Sequence, residues 1–148
     1  MVATVIARLA DAGRLTLDDP VAAHVPELHG SGLAKGATLR GILANRSGLP
    51  LRAGLELGFA SRTDGDDGAL ARLTADTNGS LPVANFWSYT NVGWCVLGCV
   101  IETVTGAAWE NAMRRHLFDW AGMRETSFAA DAQSHAIKLV ATSVVIPR

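Results

Sequence analysis

The sequence has no apolar run long enough to cross a membrane, and it has few charged residues. No segment reaches the roughly 18 consecutive apolar residues that a transmembrane helix needs. Charged residues make up 18% of the 148 residues, the formal net charge is −1, and no basic run occurs. Nucleic acids and anionic membrane surfaces are therefore not expected as partners. Apolar residues make up 49%, which is enough for one folded domain over residues 1–148.

The sequence also shows neither a signal peptide nor a cysteine framework. Met1 leads at once into a helical pattern without a basic segment or a cleavage site, so the cytoplasm is only the default location and the true one stays open.

Cys95 and Cys99 lie four residues apart in a predicted helix, a spacing that suits neither an ordinary disulfide nor a complete zinc site. We predict two buried, reduced thiols. The histidines are scattered without ligand spacing, so no metal site is predicted.

The first residues predict a helix that starts without a cap. Val2, Val5, Ile6 and Leu9 have the spacing of one helical face, and Gly13 suits the position just past the helix end. The apolar pattern begins at the first residue, with no capping residue ahead of it. We therefore expect that this helix continues upstream and that the natural N-terminus is missing.

Further helices are predicted at three places. Thr38 is a suitable N-cap for a second helix, which the turn residues at 47–50 would end. The segment after Asn91 is apolar nearly all round, as expected of a buried helix, and Gly106 would end it. An amphipathic helix then precedes Gly122, and its apolar face is formed by Trp109, Met113, Leu117 and Trp120.

Two weaker elements complete the pattern. Asp67 could begin a short helix, and the β-branched run at 140–146 could form one strand. The residues thus predict a mainly α fold with four or five helices. A single strand has nothing to pair with in this chain, which is a second indication that the 148 residues belong to a larger unit.

Three stretches, in order along the chain, carry a family pattern. Residues 12–21 are AGRLTLDDPV, residues 37–50 are ATLRGILANRSGLP, and residues 87–128 begin with WSYTNVGW and end with GMRETSF. Each stretch is similar to one in the penicillin-recognising serine hydrolases, the family of class C β-lactamases, DD-peptidases and related esterases. One stretch alone would be weak, but three in the family's order are specific. The chain is identified on this basis as a member of that family.

The resemblance implies an α/β fold in which an antiparallel sheet flanked by helices lies beside an all-helical region, with the active site between them. This chain would cover mainly the helical region of that β-lactamase/transpeptidase-like fold, with most of the antiparallel sheet missing. The implied reaction is acylation of a serine by a small β-lactam, peptide or ester substrate, followed by release of the acyl group to water. No cofactor is implied.

The family uses three motifs, and this sequence has one of them. Tyr89 matches the family tyrosine, whose implied role is catalytic proton transfer, and Asn91 matches the amide that orients the substrate. The Ser-x-x-Lys motif, which places a base one helical turn from the nucleophile, occurs nowhere in the chain. Alignment on Gly13 places its lysine two positions before Met1, and the Lys-Thr-Gly or His-x-Gly motif would follow Arg148. As it stands, the chain is expected to be an inactive fragment.

Whether this protein is an enzyme stays open at this point. One interpretation is a truncated or misassigned reading frame of a serine hydrolase. Another is a separate, non-catalytic helical protein that binds a ligand or partner through a remnant of the cleft. A small all-helical interaction module unrelated to the family is a third. The substrate of the parent enzyme does not follow from the motifs, since members with similar motifs differ in substrate.

Overall fold

A computed structural model of the chain describes residues 1–29, 36–48 and 87–128. These ranges contain four helices and two short 3-10 turns: α1 (Val2–Asp11), the turns Val21–Ala23 and Pro26–Leu28, α2 (Leu39–Leu43), α3 (Asn91–Thr105) and α4 (Trp109–Ala121). No strand occurs in the described ranges, where an isolated antiparallel bridge joins Pro20 to Thr38. The predicted helical character is confirmed for this part of the chain.

Helix α3 forms the centre of the core. Because its residues are apolar nearly all round, it can pack on several neighbours at once, and α1, α2 and α4 all contact it. Burial of a valine, leucine or isoleucine side chain stabilises a fold by about 1.5–3 kcal/mol. Five such side chains of α3 are at most 1% exposed: Val92, Val96, Leu97, Val100 and Ile101. The predicted end of this helix is confirmed, since Gly106 takes the left-handed conformation at φ 68°.

Helix α1 packs one face against α3, as its sequence pattern predicts. Val5, Ile6 and Leu9 are buried, and Val2 packs against the edge of the core. Gly13 has φ 67°, the left-handed conformation that commonly follows a helix end. The predicted apolar face and the predicted terminator of α1 are both confirmed.

Residues 16–24 and 37–40 run side by side, and we call these two segments the anchor. The backbone N–H of Val21 donates to the carbonyl of Ala37 at 2.9 Å, and the N–H of Arg40 donates to the carbonyl of Leu17 at 2.8 Å. The two short 3-10 turns, Val21–Ala23 and Pro26–Leu28, lie between these two segments or at the end of the first one.

Charged side chains of the anchor are paired. Arg40 donates to both carboxylate oxygens of Asp18, at 2.8 and 2.9 Å. Asp19 accepts from the Thr16 hydroxyl at 2.6 Å and the Thr16 backbone N–H at 2.9 Å, and His24 Nε2 lies 2.8 Å from its Oδ2. These hydrogen bonds, with that of the Thr16 hydroxyl first, lower the pKa of Asp19 from 3.8 to about 2.

Helix α2 begins as predicted and ends earlier than predicted. The Thr38 hydroxyl accepts a hydrogen bond from the N–H of Gly41 at 3.1 Å, so Thr38 is the N-cap. The helix ends at Leu43, and Asn45 follows it with φ 55°. The end predicted at residues 47–50 is therefore wrong, because a left-handed asparagine stops the helix first.

One π-helical turn, Arg114–Phe118, interrupts α4 between two α-helical parts. The wider turn rotates the following side chains around the helix axis, so that Phe118 is buried and Trp120 is 61% exposed. The prediction that Trp120 belongs to the apolar face is therefore wrong. Its ring lies instead beneath the Arg8 guanidinium, 4.1 Å from the ring centroid, in a cation–π contact.

The helix predicted from Asp67 and the strand predicted at 140–146 lie outside the described residues. Within the described ranges, no single helix is long and apolar enough to cross a membrane. Helices α3 and α4 meet the requirements of length and hydropathy only as a pair, across a bend of 79°.

Candidate active site

The two residues that match the family motif lie side by side where α3 begins. Asn91 is the first residue of the helix, and Tyr89 precedes it by two positions. The Tyr89 hydroxyl donates a hydrogen bond to Asn91 Oδ1 at 2.7 Å. Tyr89 is 42% exposed, and Asn91 is half-buried. A phenol and an amide thus form one polar pair that a ligand can reach from solvent.

This pair belongs to residues 87–91, which lead into α3 and include its first residue, and we call this segment the tyrosine turn. Thr90 has extended backbone angles, φ −150° and ψ 133°, and alternate side chains of an extended chain point to opposite sides. Trp87 is 65% exposed, whereas Thr90 is only 1% exposed. The backbone therefore presents Trp87 and Tyr89 to the surface and turns Thr90 into the protein.

The tyrosine turn contacts the segment at the end of α2. The backbone N–H of Ser88 donates to the carbonyl of Asn45 at 2.8 Å. One turn further along, Gly93 packs against Ile42 so closely that a Cβ atom at Gly93 would lie 2.9 Å from Ile42 Cγ2. A glycine is needed here for close approach of the two helices. Both contacts join the residues around the start of α3 to α2 and the residue that follows it.

Asn45 and Gly93 were not predicted as supports of the site, although the sequence contains signals for both. Asparagine adopts the left-handed conformation more readily than other non-glycine residues, and it is common just after a helix. An isolated glycine inside a helical pattern often has a packing reason. Both signals become specific only when the partner element is known.

Two buried polar atoms at this site have no hydrogen-bond partner among the described residues: Thr90 Oγ1 and Asn45 Oδ1. Most buried polar atoms in folded proteins are paired, and an unpaired one costs free energy. Thr90 Oγ1 and Asn45 Oδ1 therefore add no hydrogen-bond stabilisation here, whereas the backbone contributes the hydrogen bond between Ser88 and Asn45.

A cysteine thiol lies on α3 one helical turn after Asn91. Cys95 is exposed and Cys99 is partly buried, so the prediction of two buried thiols is wrong. The helix face that carries Cys95 also carries exposed Glu102 and lies away from the core. Protein atoms nevertheless crowd the Cys95 sulfur, and this desolvation raises the pKa of the thiol above its ordinary value of 9.0. Cys95 is thus a neutral thiol at neutral pH and not an activated nucleophile.

The described ranges contain no group of three His, Cys, Asp or Glu side chains that could hold a metal ion. The tyrosine turn contains a phenol and an amide. The phenol can donate or accept a proton, and the amide has both hydrogen-bond donors and an acceptor. Proton transfer and substrate orientation are the two tasks that such a pair can perform.

One family model and several proteins of known sequence match this chain. The family model described as beta-lactamase matches residues 1–138. Penicillin-binding protein 4 of Amycolatopsis lactamdurans is 33% identical over 129 residues, which cover 84% of this chain and 32% of that protein.

Solved structures show the same likeness in three dimensions. The octameric penicillin-binding protein homologue from Pyrococcus abyssi matches with a TM-score of 0.62 and 28% identity, covering 83% of this chain and 29% of that one. A class C beta-lactamase in complex with cefoxitin matches with a TM-score of 0.62 and 25% identity, covering 83% of this chain and 32% of that one. These neighbours have the β-lactamase/transpeptidase fold, and the chain spans about a third of the length of each of the three proteins.

Proposed function

This chain belongs to the beta-lactamase family of penicillin-recognising serine hydrolases, and we propose that Tyr89 and Asn91 form the proton-transfer and substrate-orienting part of its acyl-transfer site. The observation that carries the proposal is the hydrogen bond from the Tyr89 hydroxyl to Asn91 Oδ1, 2.7 Å long, on an exposed turn. The pair also occupies the positions of the family's Tyr-x-Asn motif.

A phenol suits the proton movements of acyl transfer to serine. As the serine Oγ bonds to the carbonyl carbon, its proton must leave; as the C–N or C–O bond breaks, the departing nitrogen or oxygen must gain a proton. One group that reaches both atoms can move that proton. The exposed hydroxyl of Tyr89, held by Asn91, is the group proposed for this step.

The Asn91 amide has hydrogen-bond donors that a substrate can use. Its Oδ1 accepts from Tyr89, which leaves the two N–H donors of Nδ2 for a carbonyl oxygen of a β-lactam, peptide or ester. Its backbone is fixed in the first turn of α3. We therefore assign Asn91 to orienting the acyl part of the substrate.

The 148 residues contain no Ser-x-x-Lys motif, and Tyr89 has a proton to transfer only beside such a dyad. The proposal is accordingly that this chain supplies the helical region of the fold with little of its sheet, and that alone it does not turn over β-lactams, peptides or esters. Far-ultraviolet circular dichroism tests the first part, since a strong strand contribution would contradict it.

The missing motif also favours a second candidate function, a non-catalytic helical protein that binds a small molecule or a partner. Trp87 and Tyr89 are both exposed on the tyrosine turn. Aromatic side chains with a polar group are common in binding surfaces. In this case Tyr89 and Asn91 would bind and not catalyse.

A chimera separates the two functions. In it, residues 1–128 replace the matching segment of penicillin-binding protein 4 from Amycolatopsis lactamdurans, and the unchanged relative is the positive control. Under the catalytic proposal, the folded chimera forms a covalent adduct with a fluorescent penicillin that survives denaturing electrophoresis. A folded chimera that forms no adduct contradicts that proposal and favours the binding protein.

A matched pair of asparagine variants tests the assigned role of Asn91 in the same chimera. Asn91→Ala is expected to slow adduct formation roughly tenfold, the effect of losing one hydrogen bond to the substrate. Asn111→Ala, which removes an exposed asparagine of α4, is expected to leave the rate unchanged. Equal rates for the two variants would remove Asn91 from the site.

A further inference from the structure

The backbone of Asn45, two residues after the end of α2, contacts the tyrosine turn. Among the described residues, Asn45 is the one non-glycine residue with a positive φ, which is 55°. In that conformation the chain reverses just after α2, and the Asn45 carbonyl accepts the hydrogen bond from the Ser88 N–H at 2.8 Å. Ser88 is joined by one peptide bond to Tyr89, so the direction of this carbonyl restricts where the phenol can lie.

The carbonyl oxygen of the Asn45 side chain does not explain why the residue is there. Its Oδ1 is buried and has no partner among the described residues. What asparagine provides, compared with other residues that have a Cβ, is tolerance of the left-handed conformation. The backbone conformation of Asn45 is therefore the feature that bears on its hydrogen bond with Ser88.

We propose that Asn45 is a positioning residue for Tyr89, and that it acts through its left-handed backbone and carbonyl oxygen and not through its side chain. The role in acyl transfer rests on the function proposed above, whereas the geometric part does not. A residue that disfavours positive φ at this position should release Ser88 and let the phenol move. Glycine should preserve the arrangement, because it accepts positive φ at no steric cost.

The single tyrosine of the chain makes the geometric part measurable. Tyr89 is the one tyrosine in the sequence, so 3-fluorotyrosine labelling of the 148-residue chain gives one ¹⁹F resonance per state. Hydrogen exchange of the Ser88 amide reports the contact with Asn45. The amides of Val100 and Ile101, whose side chains are fully buried in α3, report whether the core stays folded.

Three variants separate backbone conformation from side-chain bulk. Asn45→Val places a β-branched residue at positive φ, and it is expected to speed Ser88 exchange by about 5- to 30-fold and to shift the Tyr89 resonance, with α3 exchange unchanged. Asn45→Gly is expected to keep both signals near those of the parent. Ala44→Val, at an exposed position with φ −83°, is the matched control and is expected to change neither.

Each departure from this pattern overturns the proposal. Unchanged Ser88 exchange in Asn45→Val would show that the contact does not depend on backbone conformation, and lost protection in Asn45→Gly would show that the side chain is needed. If Asn45→Val also loses α3 protection, Asn45→Ala, which adds no β-branch, decides the question on the same two signals.

The catalytic part is tested in the chimera with penicillin. Asn45→Val is expected to lower the rate of acylation at saturating penicillin and to leave the half-saturating concentration nearly unchanged, since a displaced phenol affects proton transfer more than binding. If the ¹⁹F resonance moves and acylation does not change, Asn45 is no positioning residue for the reaction. If Tyr89→Phe is also without effect, the proposed function itself is wrong.

Discussion

The anchor and the tyrosine turn are both held by backbone hydrogen bonds, but they differ in their polar side chains. In the anchor, Asp18 is paired with Arg40, and Asp19 is paired with Thr16 and His24. In the tyrosine turn, the buried hydroxyl of Thr90 has no partner among the described residues, and the exposed side chains are aromatic. The anchor therefore has the features of a structural support, whereas the turn has exposed aromatic side chains of the kind that are common in binding surfaces.

Two threonines show the difference at equivalent positions. Thr38 and Thr90 each precede a helix, and each has an extended backbone. The Thr38 hydroxyl accepts a hydrogen bond from the N–H of Gly41, whereas the Thr90 hydroxyl caps nothing. Natural sequences are expected to break local rules where function requires it. Of the two helices that a threonine precedes, the one without a side-chain cap begins at Asn91, a member of the proposed catalytic pair.

The largest expected effect concerns activity, because the chemistry proposed for the tyrosine turn needs a Ser-x-x-Lys motif that the 148 residues do not contain. We expect the purified 148-residue chain to show no turnover of a chromogenic cephalosporin or a nitrophenyl ester, since loss of a catalytic nucleophile costs on the order of 10⁶ in rate. Turnover that increases with protein concentration and exceeds that of a heat-treated control would contradict the expectation that the chain alone is inactive.

Two glycines of α3 test how closely the turn depends on α2. Gly93→Ala is expected to lower the free energy of unfolding by about 1–3 kcal/mol, because the new Cβ overlaps Ile42. Gly98→Ala is the control, since its Cβ would meet the Trp109 ring at 3.3 Å and the gain in helix propensity offsets that contact. Urea denaturation measures both, and equal values would show that the contact with α2 is not specific.

The two threonines at N-cap positions are expected to give a smaller difference in stability. Thr38→Val removes a cap hydrogen bond and is expected to cost about 0.5–2 kcal/mol. Thr90→Val replaces an unpaired hydroxyl by a methyl group of similar size, which is expected to be neutral or slightly stabilising. Thermal melts of the two variants check the order, and a larger loss for Thr90→Val would show that its hydroxyl is needed.

The smallest expected effect is a dependence of stability on acid in the anchor. The pKa of Asp19 is lowered from 3.8 to about 2, so its carboxylate stabilises the fold above its ordinary pKa, and this contribution is lost as the pH falls through about 2. The difference in urea midpoint between the parent and Asp19→Asn should therefore shrink as the pH is lowered from about 4 to about 2. A difference that does not change with pH would show that the carboxylate charge plays no part.

Residue periodicity was sufficient to predict much of the fold. The apolar face of α1, the Thr38 cap and the glycine ends of α1 and α3 each follow from short-range rules, because the residues concerned are neighbours in sequence. The resemblance in three stretches then gave the family and the matched pair Tyr89 and Asn91. What it implies about their roles remains a prediction.

The features that the sequence did not predict depend on contacts between distant segments. The π-helical turn of α4 places Trp120 at the surface, and a pattern with an ideal helical period cannot show such a shift. The exposure of Cys95 depends on which side of α3 its neighbours cover. The role of Asn45 requires its hydrogen bond to Ser88, which joins residues 43 positions apart.

The measurement that tests the central claim most directly is the rate of penicillin acylation by the chimera with and without the Tyr89 hydroxyl. Tyr89→Phe keeps the ring and removes the proton donor, and it is expected to lower that rate by about 10²–10⁴-fold, the range for a general acid–base group. Trp120→Phe, a change at an exposed aromatic side chain of α4, is the control and is expected to have no effect. An unchanged rate in folded Tyr89→Phe chimera would contradict the assignment of the tyrosine turn as the proton-transfer part of the site.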